Sequence, residues 1–159
     1  MFEAISKYFF GDANKTRLMD LYNEFFQGIE LLRSQTLPDL KTTFGDVYKI
    51  SLKQEFDFSN EHVKTGLVKM YRSNLMKFYD EDSLKGVMTM ILDSKPNYGR
   101  ALICFIYIGK FMQFYDESQQ PASKHVVENE ISNFSRVRNH ADKFCELTEY
   151  VLESLKPYL

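Results

Sequence analysis

The sequence predicts an all-α protein, on three observations. Chain breakers are scarce, with 7 Gly and 4 Pro in 159 residues, too few to punctuate a strand-and-turn fold. Apolar residues recur at the helical period through most of the chain. One segment, residues 97–115, is apolar nearly all round, the pattern of a helix wrapped by others. Together they predict a single domain over residues 1–159, a bundle of six to eight helices around one central apolar helix.

Each element has its own signal. Phe2, Ile5 and Phe9 fall at i, i+3 and i+7 in a short amphipathic opening piece that Gly11 and Asp12 end. Over residues 15–33, Leu18, Leu21, Tyr22, Phe25, Ile29 and Leu32 make one apolar stripe, with Asp20, Glu24 and Glu30 off it. Leu37-Pro38 breaks the chain, and Pro38 suits the first turn of a next helix that carries Leu40, Phe44, Val47, Tyr48 and Leu52 on one side. After a turn at 57–60, a helix over 61–79 places Val63, Leu67, Met70 and Tyr71 inward, weakened by Gly66. Asp80, Glu81, Asp82 and Ser83 open another helix, with acidic residues at its positive end. Leu84, Val87, Met88, Ile91 and Leu92 continue it to the stop at Ser94-Lys95-Pro96. Asn97 caps the central helix, which carries Leu102, Ile103, Phe105, Ile106, Tyr107, Ile108, Phe111 and Met112. Gln119, Gln120 and Pro121 form a loop. One helix or a pair then covers 123–155, with Phe134, Val137, Ala141, Phe144, Cys145, Thr148, Val151, Leu152 and Leu155 in period.

Composition removes several function classes. The 20 basic and 22 acidic side chains give a net charge of −2, so nothing argues for a nucleic-acid partner, which needs clustered basic charge. A hydrophobic content of 44% argues against disorder. The longest apolar run, residues 101–108, is far short of the ~18 residues of a membrane span, so no integral membrane anchor is expected. The N-terminus lacks a basic region followed by an apolar run, so no signal peptide is expected. Cys104 and Cys145 sit among apolar residues and read as buried thiols of a reducing, intracellular compartment.

Catalysis has little to stand on. His62, His125 and His140 lie at no metal-ligand spacing with Cys or carboxylates, and neither a phosphate-binding glycine loop nor a nucleophile elbow is present. Asp80-Glu81-Asp82 and Asp116-Glu117 read as solvated helix ends, because catalytic carboxylate pairs need burial. Cys145 as a nucleophile would need a neighbouring base that sequence cannot place. The expectation is a protein that is not an enzyme and needs neither cofactor nor metal.

The informative segment runs from Val87 to Tyr107: a helix, a tight corner at Asn97-Tyr98-Gly99-Arg100, and the apolar helix. Gly99 lacks a Cβ and lets another backbone approach. Arg100 lies in the first turn of a helix, where the dipole already supplies positive charge. A cation there is explained by an anion that meets it, or else by snorkelling to solvent.

That corner resembles the first homology motif, Asn-Trp-Gly-Arg, of the Bcl-2 family of apoptosis regulators. Val87, Met88, Ile91 and Leu92 fall where the family places apolar residues of the preceding helix. Phe44-Gly45-Asp46-Val47-Tyr48 is similar to the Gly-Asp-x-Phe part of the third homology motif, and Leu155-Lys156-Pro157-Tyr158-Leu159 resembles the Glu-Pro-Trp-Ile start of the second. Three departures stand out. Tyr98 replaces the Trp, and Lys41 stands where the third motif has its signature Leu, so the chain is not expected to act as a pro-death ligand itself. The sequence ends at Leu159 within the second motif, which implies a groove open at one end, and the stretch from Asn97 to Pro157 is long, implying an extended hairpin at 116–123. A compact member without a membrane tail looks most like a divergent, virus-encoded survival protein.

The resemblance implies an inhibitor of apoptosis that sequesters the amphipathic BH3 helices of pro-death partners in a surface groove, without chemistry. Carried over residue by residue, Tyr48, Leu52 and Phe56 would line the groove from the second helix, Val87, Met90 and Ile91 from the fourth, and Ile103 and Tyr107 from the central one. Asn97, Gly99 and Arg100 would form its polar spot, with Arg100 pairing the ligand's Asp. Apolar positions at helical spacing read equally well as core, and that alternative stands for Val87, Ile91, Ile103 and Tyr107. An uncovered groove also invites self-association as a homodimer. The implied location is the cytoplasm, peripheral at the mitochondria of an infected host cell. Two other readings are the same fold used to inhibit innate immune signalling with a filled groove, and a helical cytokine with a Cys104–Cys145 bridge.

Overall fold

The computed structural model describes residues 13–55, 57–73, 80–93, 95–118 and 126–159, with the backbone alone for 13–14, 71–73, 116–118 and 126–136. The described residues form an all-helical bundle. Its elements are α1 (Ala13–Arg33), α2 (Thr43–Ser51), α3 (Glu61–Ser73), α4 (Glu81–Leu92), α5 (Tyr98–Ser118) and α6 (Val126–Leu155), closed by a 3-10 turn, Lys156–Tyr158. The predicted opening piece with Phe2, Ile5 and Phe9, the loop at Gln119–Pro121, Phe56, and the side chains of Tyr71 and Phe134 lie outside the described residues.

α5 is the axis. All five other helices pack on it, and from Ala101 to Gln113 only Ile103 is more than marginally exposed. The surrounding helices bury a stripe each: Leu18, Leu21, Phe25 and Ile29 on α1, Val63, Leu67 and Met70 on α3, Leu84, Met88 and Leu92 on α4. An aromatic cluster joins four elements at the centre. Phe25 of α1 stacks on Phe105 of α5 at 3.8 Å between ring centroids, and Phe44 of α2 meets Phe25 edge-on at 5.2 Å and Phe144 of α6 at 5.8 Å. Such pairs add about 0.5–1.5 kcal/mol each beyond the area they bury.

One boundary differs from the sequence reading. The second helix does not begin at Pro38. Asp39 instead accepts the amide of Lys41, Thr42 donates its hydroxyl to the Asp39 carbonyl and accepts the Gly45 amide at 2.9 Å, and the helix starts after this Thr42 cap. Local side-chain capping outcompetes the proline's preference for a first turn. Consequently Leu40 precedes α2 and Leu52 is its C-cap. The last segment, read as one helix or a pair, is one helix of 30 residues, about 45 Å long. The Asp80 cap on α4 is as read: its carboxylate accepts the Ser83 amide at 2.6 Å, which holds the Asp80 carboxyl below its ordinary pKa.

α2 is seated on α5 at Gly109, where a Cβ would stand 3.0 Å from both the Val47 carbonyl oxygen and Ile50 Cγ2. Buried polar groups then pin its C-terminal end. Gln113 of α5 donates to the Ile50 carbonyl at 2.6 Å, Lys110 pairs with Glu55 at 2.8 Å, and His140 of α6 meets Ser51 Oγ at 3.2 Å. Cys104 and Cys145 are free and buried in different places, against Met88 and Ile29 respectively. Burial pushes their thiols up to about 12 and about 11. The bridge that the cytokine reading requires is therefore not made.

Candidate functional site

α4 and α5 follow one another in the chain and pack together, which brings the last turn of α4 and the first turn of α5 to one end of the bundle. The corner is built by Asn97. Its side-chain oxygen accepts the Arg100 amide at 2.9 Å and its carbonyl accepts the Ala101 amide at 2.9 Å, a two-point cap that starts the buried helix. Gly99 is exposed, and among the described residues a Cβ there would meet only Asn97 Oδ1, at 3.5 Å. The surface above Gly99 is thus open to an approaching backbone. Lys95, just before Pro96, has a φ of 94°, a strained value for a residue with a side chain. Arg100 donates from its guanidinium to the Lys95 carbonyl at 3.0 Å while its side chain stays exposed. The arginine is held at the surface by the corner it starts.

Around it lies an apolar face. Met90 of α4 is 77% exposed, Val87 and Ile91 are half-buried against the core, and Ile103 of α5 is half-buried beside Gly66 of α3. α3 and α4 each pack on α5, with at most marginal packing between the two, so α5 forms the floor between them. Along that floor, Arg100, Ile103 and Tyr107 follow one another at i, i+3 and i+7. Exposure falls from Arg100 at the surface to Tyr107 at 3%. In this structure Tyr107 is core, and burial pushes its hydroxyl above the ordinary tyrosine pKa.

Not all the sequence-predicted residues gather here. Val87, Met90, Ile91, Asn97, Gly99, Arg100 and Ile103 share the α4–α5 end of the bundle. Leu52 is exposed at the end of α2, and Phe56 lies outside the described residues. Tyr48 faces another way, against Phe44 and edge-on to Phe144 at 5.4 Å. It lines a separate cleft of about 380 Å³ between α2, α6 and the loop that follows α1. The reason is the seating of α2: Val47 and Ile50 take the α5 side, so Tyr48 is turned toward α1 and α6.

The Gly45-Asp46 pair has a role that motif reading did not give it. A Cβ on Gly45 would lie 2.6 Å from the Leu40 backbone, so the glycine permits the preceding loop to close. Asp46 is fully buried, and its two carboxylate oxygens accept the amides of Ser59 at 2.9 Å and Asn60 at 2.8 Å. It fixes the loop that starts α3, where Asn60 in turn caps the helix through the His62 amide at 2.8 Å. An aspartate so engaged is not presented to a partner. Only the long offset between Asp46 and Asn60 hid this from the sequence.

Two residues beside the corner were also missed. Arg17 of α1 lies over the Tyr98 ring at 4.3 Å, and His62 of α3 meets the same ring edge-on at 5.8 Å. Their contact joins elements distant in sequence. Among the described residues, no group of three or more His, Cys, Asp or Glu side chains could hold a metal ion, and no helix is long and apolar enough to cross a membrane. Comparison with protein-family models, curated proteins and solved structures finds no match to this chain.

Proposed function

We propose that the protein is a non-catalytic, divergent Bcl-2-like inhibitor of apoptosis that sequesters the amphipathic BH3 helix of a pro-death partner on the α3–α4–α5 face. The observation that carries this reading is the corner itself: an exposed Arg100 on the first turn of a buried central helix, next in sequence to an exposed Gly99, with Met90 exposed on the preceding helix. A ligand helix lying on this face presents apolar side chains to Val87, Met90, Ile91 and Ile103. Its acidic residue reaches Arg100, and its backbone passes close over Gly99. A desolvated charge pair at Arg100 contributes about 1.5–3 kcal/mol by truncation, with the apolar anchors supplying most of the affinity. The engaged Asp46 fits a receptor of helices rather than a donor of one. Action at mitochondria of an infected cell, and a homodimer through the same face, belong to this reading.

The test is titration of a panel of pro-death helix peptides against the wild type and Arg100→Ala. Saturable binding to at least one peptide, weakened about tenfold in the variant, is expected. A folded protein that binds none of them contradicts the proposal. A second reading has the same fold inhibit innate immune signalling through protein contacts. The burial of Tyr107, which closes the inner end of the floor, favours it, and it predicts no peptide binding at all.

A further inference from the structure

A cleft of about 380 Å³ lies away from the corner, at the junction of α2, α6 and the loop after α1. That is within the range of small-ligand sites, about 300–1,000 Å³. Leu32, Leu37, Val137 and Ala141 line one part of it with the ring of Tyr48, and polar side chains line the rest. Leu37 is 75% exposed and Val137 66%, two of the most exposed large apolar side chains of the described residues.

Arg138 and Tyr48 are two of the hydrogen-bond donors that line it, with Arg33, Gln35 and Thr36. Arg138 is exposed on α6, one residue from Val137, and no carboxylate of the described residues lies within 4 Å of its guanidinium. The Tyr48 hydroxyl has no hydrogen-bond partner among the described residues, although its ring is half-buried. Burial raises its pKa, so it stays a donor at neutral pH. The other charges on the cleft are Arg33, which is paired with Glu149, and Asp142. An apolar pocket with a few free donors selects an apolar ligand with an acceptor at one end. With no carboxylate of the described residues on the Arg138 guanidinium, a carboxylate is the fitting acceptor, since a charge-assisted bond to it is about twice as strong as a neutral one.

We infer that this cleft binds a free carboxylate amphiphile of the fatty-acid class. The acyl chain lies along Leu32, Leu37, Val137 and Ala141, and the carboxylate accepts from Arg138 and Tyr48. The site is independent of the corner at Asn97–Arg100 and does not rest on the helix-binding reading.

The experiment uses the full chain and laurate carrying an isotopic label at the carboxyl carbon, kept below its micellar concentration. Binding is followed by the carboxyl resonance and by calorimetry. Saturable one-to-one binding is expected, weakened about tenfold or more by Arg138→Glu and several-fold by Tyr48→Phe. Lys69→Glu makes the same charge change on α3 and leaves the affinity unaltered. A trimethylammonium amphiphile of the same chain length binds the wild type at least tenfold more weakly. Arg138 is exposed and Phe keeps the Tyr48 ring packing, so both variants retain the fold. Absence of saturable laurate binding overturns the inference. So does a laurate affinity indifferent to Arg138→Glu, or equal binding of the cationic amphiphile, which would mark non-specific adsorption of the tail.

Discussion

Gln35 closes α1 in the left-handed region, with φ 61°. The amide of Thr36 returns to the Leu31 carbonyl at 2.8 Å and that of Gln35 to Leu32 at 3.1 Å, a Schellman end in which glycine is the unstrained residue. Gln35→Gly is therefore expected to stabilise the protein by about 1 kcal/mol, read as a higher urea midpoint at unchanged slope. A lower midpoint would mean that the side chain contributes more than the backbone strain removes. Asp46 tests the opposite sign. Asp46→Ala leaves the Ser59 and Asn60 amides without their buried acceptor, at a cost of about 3 kcal/mol. A near-neutral Asp46→Ala in chemical denaturation would show that the loop before α3 is held by something else. The carboxylate was visible in the sequence as part of a motif, but its partners, over a dozen residues away, were not.

Helix packing makes paired predictions about two glycines. Gly109 meets Val47 and Ile50 at 3.0 Å, whereas Gly86, exposed in the middle of α4, has nothing within 4 Å among the described residues. Gly109→Ala should push α2 off α5 and cost about 1–2 kcal/mol. Gly86→Ala should raise stability by about 0.5–1 kcal/mol through helix propensity alone. Thermal unfolding of the two variants checks both signs at once. Helix existence was legible because the apolar stripes of α1, α3 and α4 repeat at 3.6 residues. Which way α2 faces was not. Its buried residues, Thr43 to Val47 with Ile50 and Ser51, occupy nearly every side, so periodicity could not say that Tyr48 turns toward α6. The start of α2 was lost for a related reason, since the Asp39–Thr42 capping chain is a set of local bonds that no apolar pattern reports.

At the scale of the molecule, burial governs the response to alkali. The thiols of Cys104 and Cys145 are pushed up to about 12 and about 11 in the folded protein, against about 8.5 when unfolded. A pKa raised by folding gives stability that is fully present below the unfolded value and lost as pH rises toward the folded one. Denaturation midpoints should therefore fall progressively above about pH 8.5, and a thiol reagent at pH 8 should label neither cysteine until the protein unfolds. Rapid labelling of two thiols in the native state would contradict the packing described. The central position of α5 was legible from its all-round apolarity. That same uniformity hid the burial of Tyr107, because nothing in such a helix distinguishes a groove floor from a core. Arg100 and Gly99 could be singled out from sequence because a cation and a glycine are out of place on that helix. The most direct measurement is backbone resonance mapping of a saturating pro-death helix peptide on the full chain. The account predicts shifts centred on Gly99, Arg100 and Ile103 with Val87 to Ile91, and quiet amides around Tyr48 and Val137. Shifts confined to the α2–α6 cleft, or none at all, would contradict the assignment of the α3–α4–α5 face as the helix-binding site.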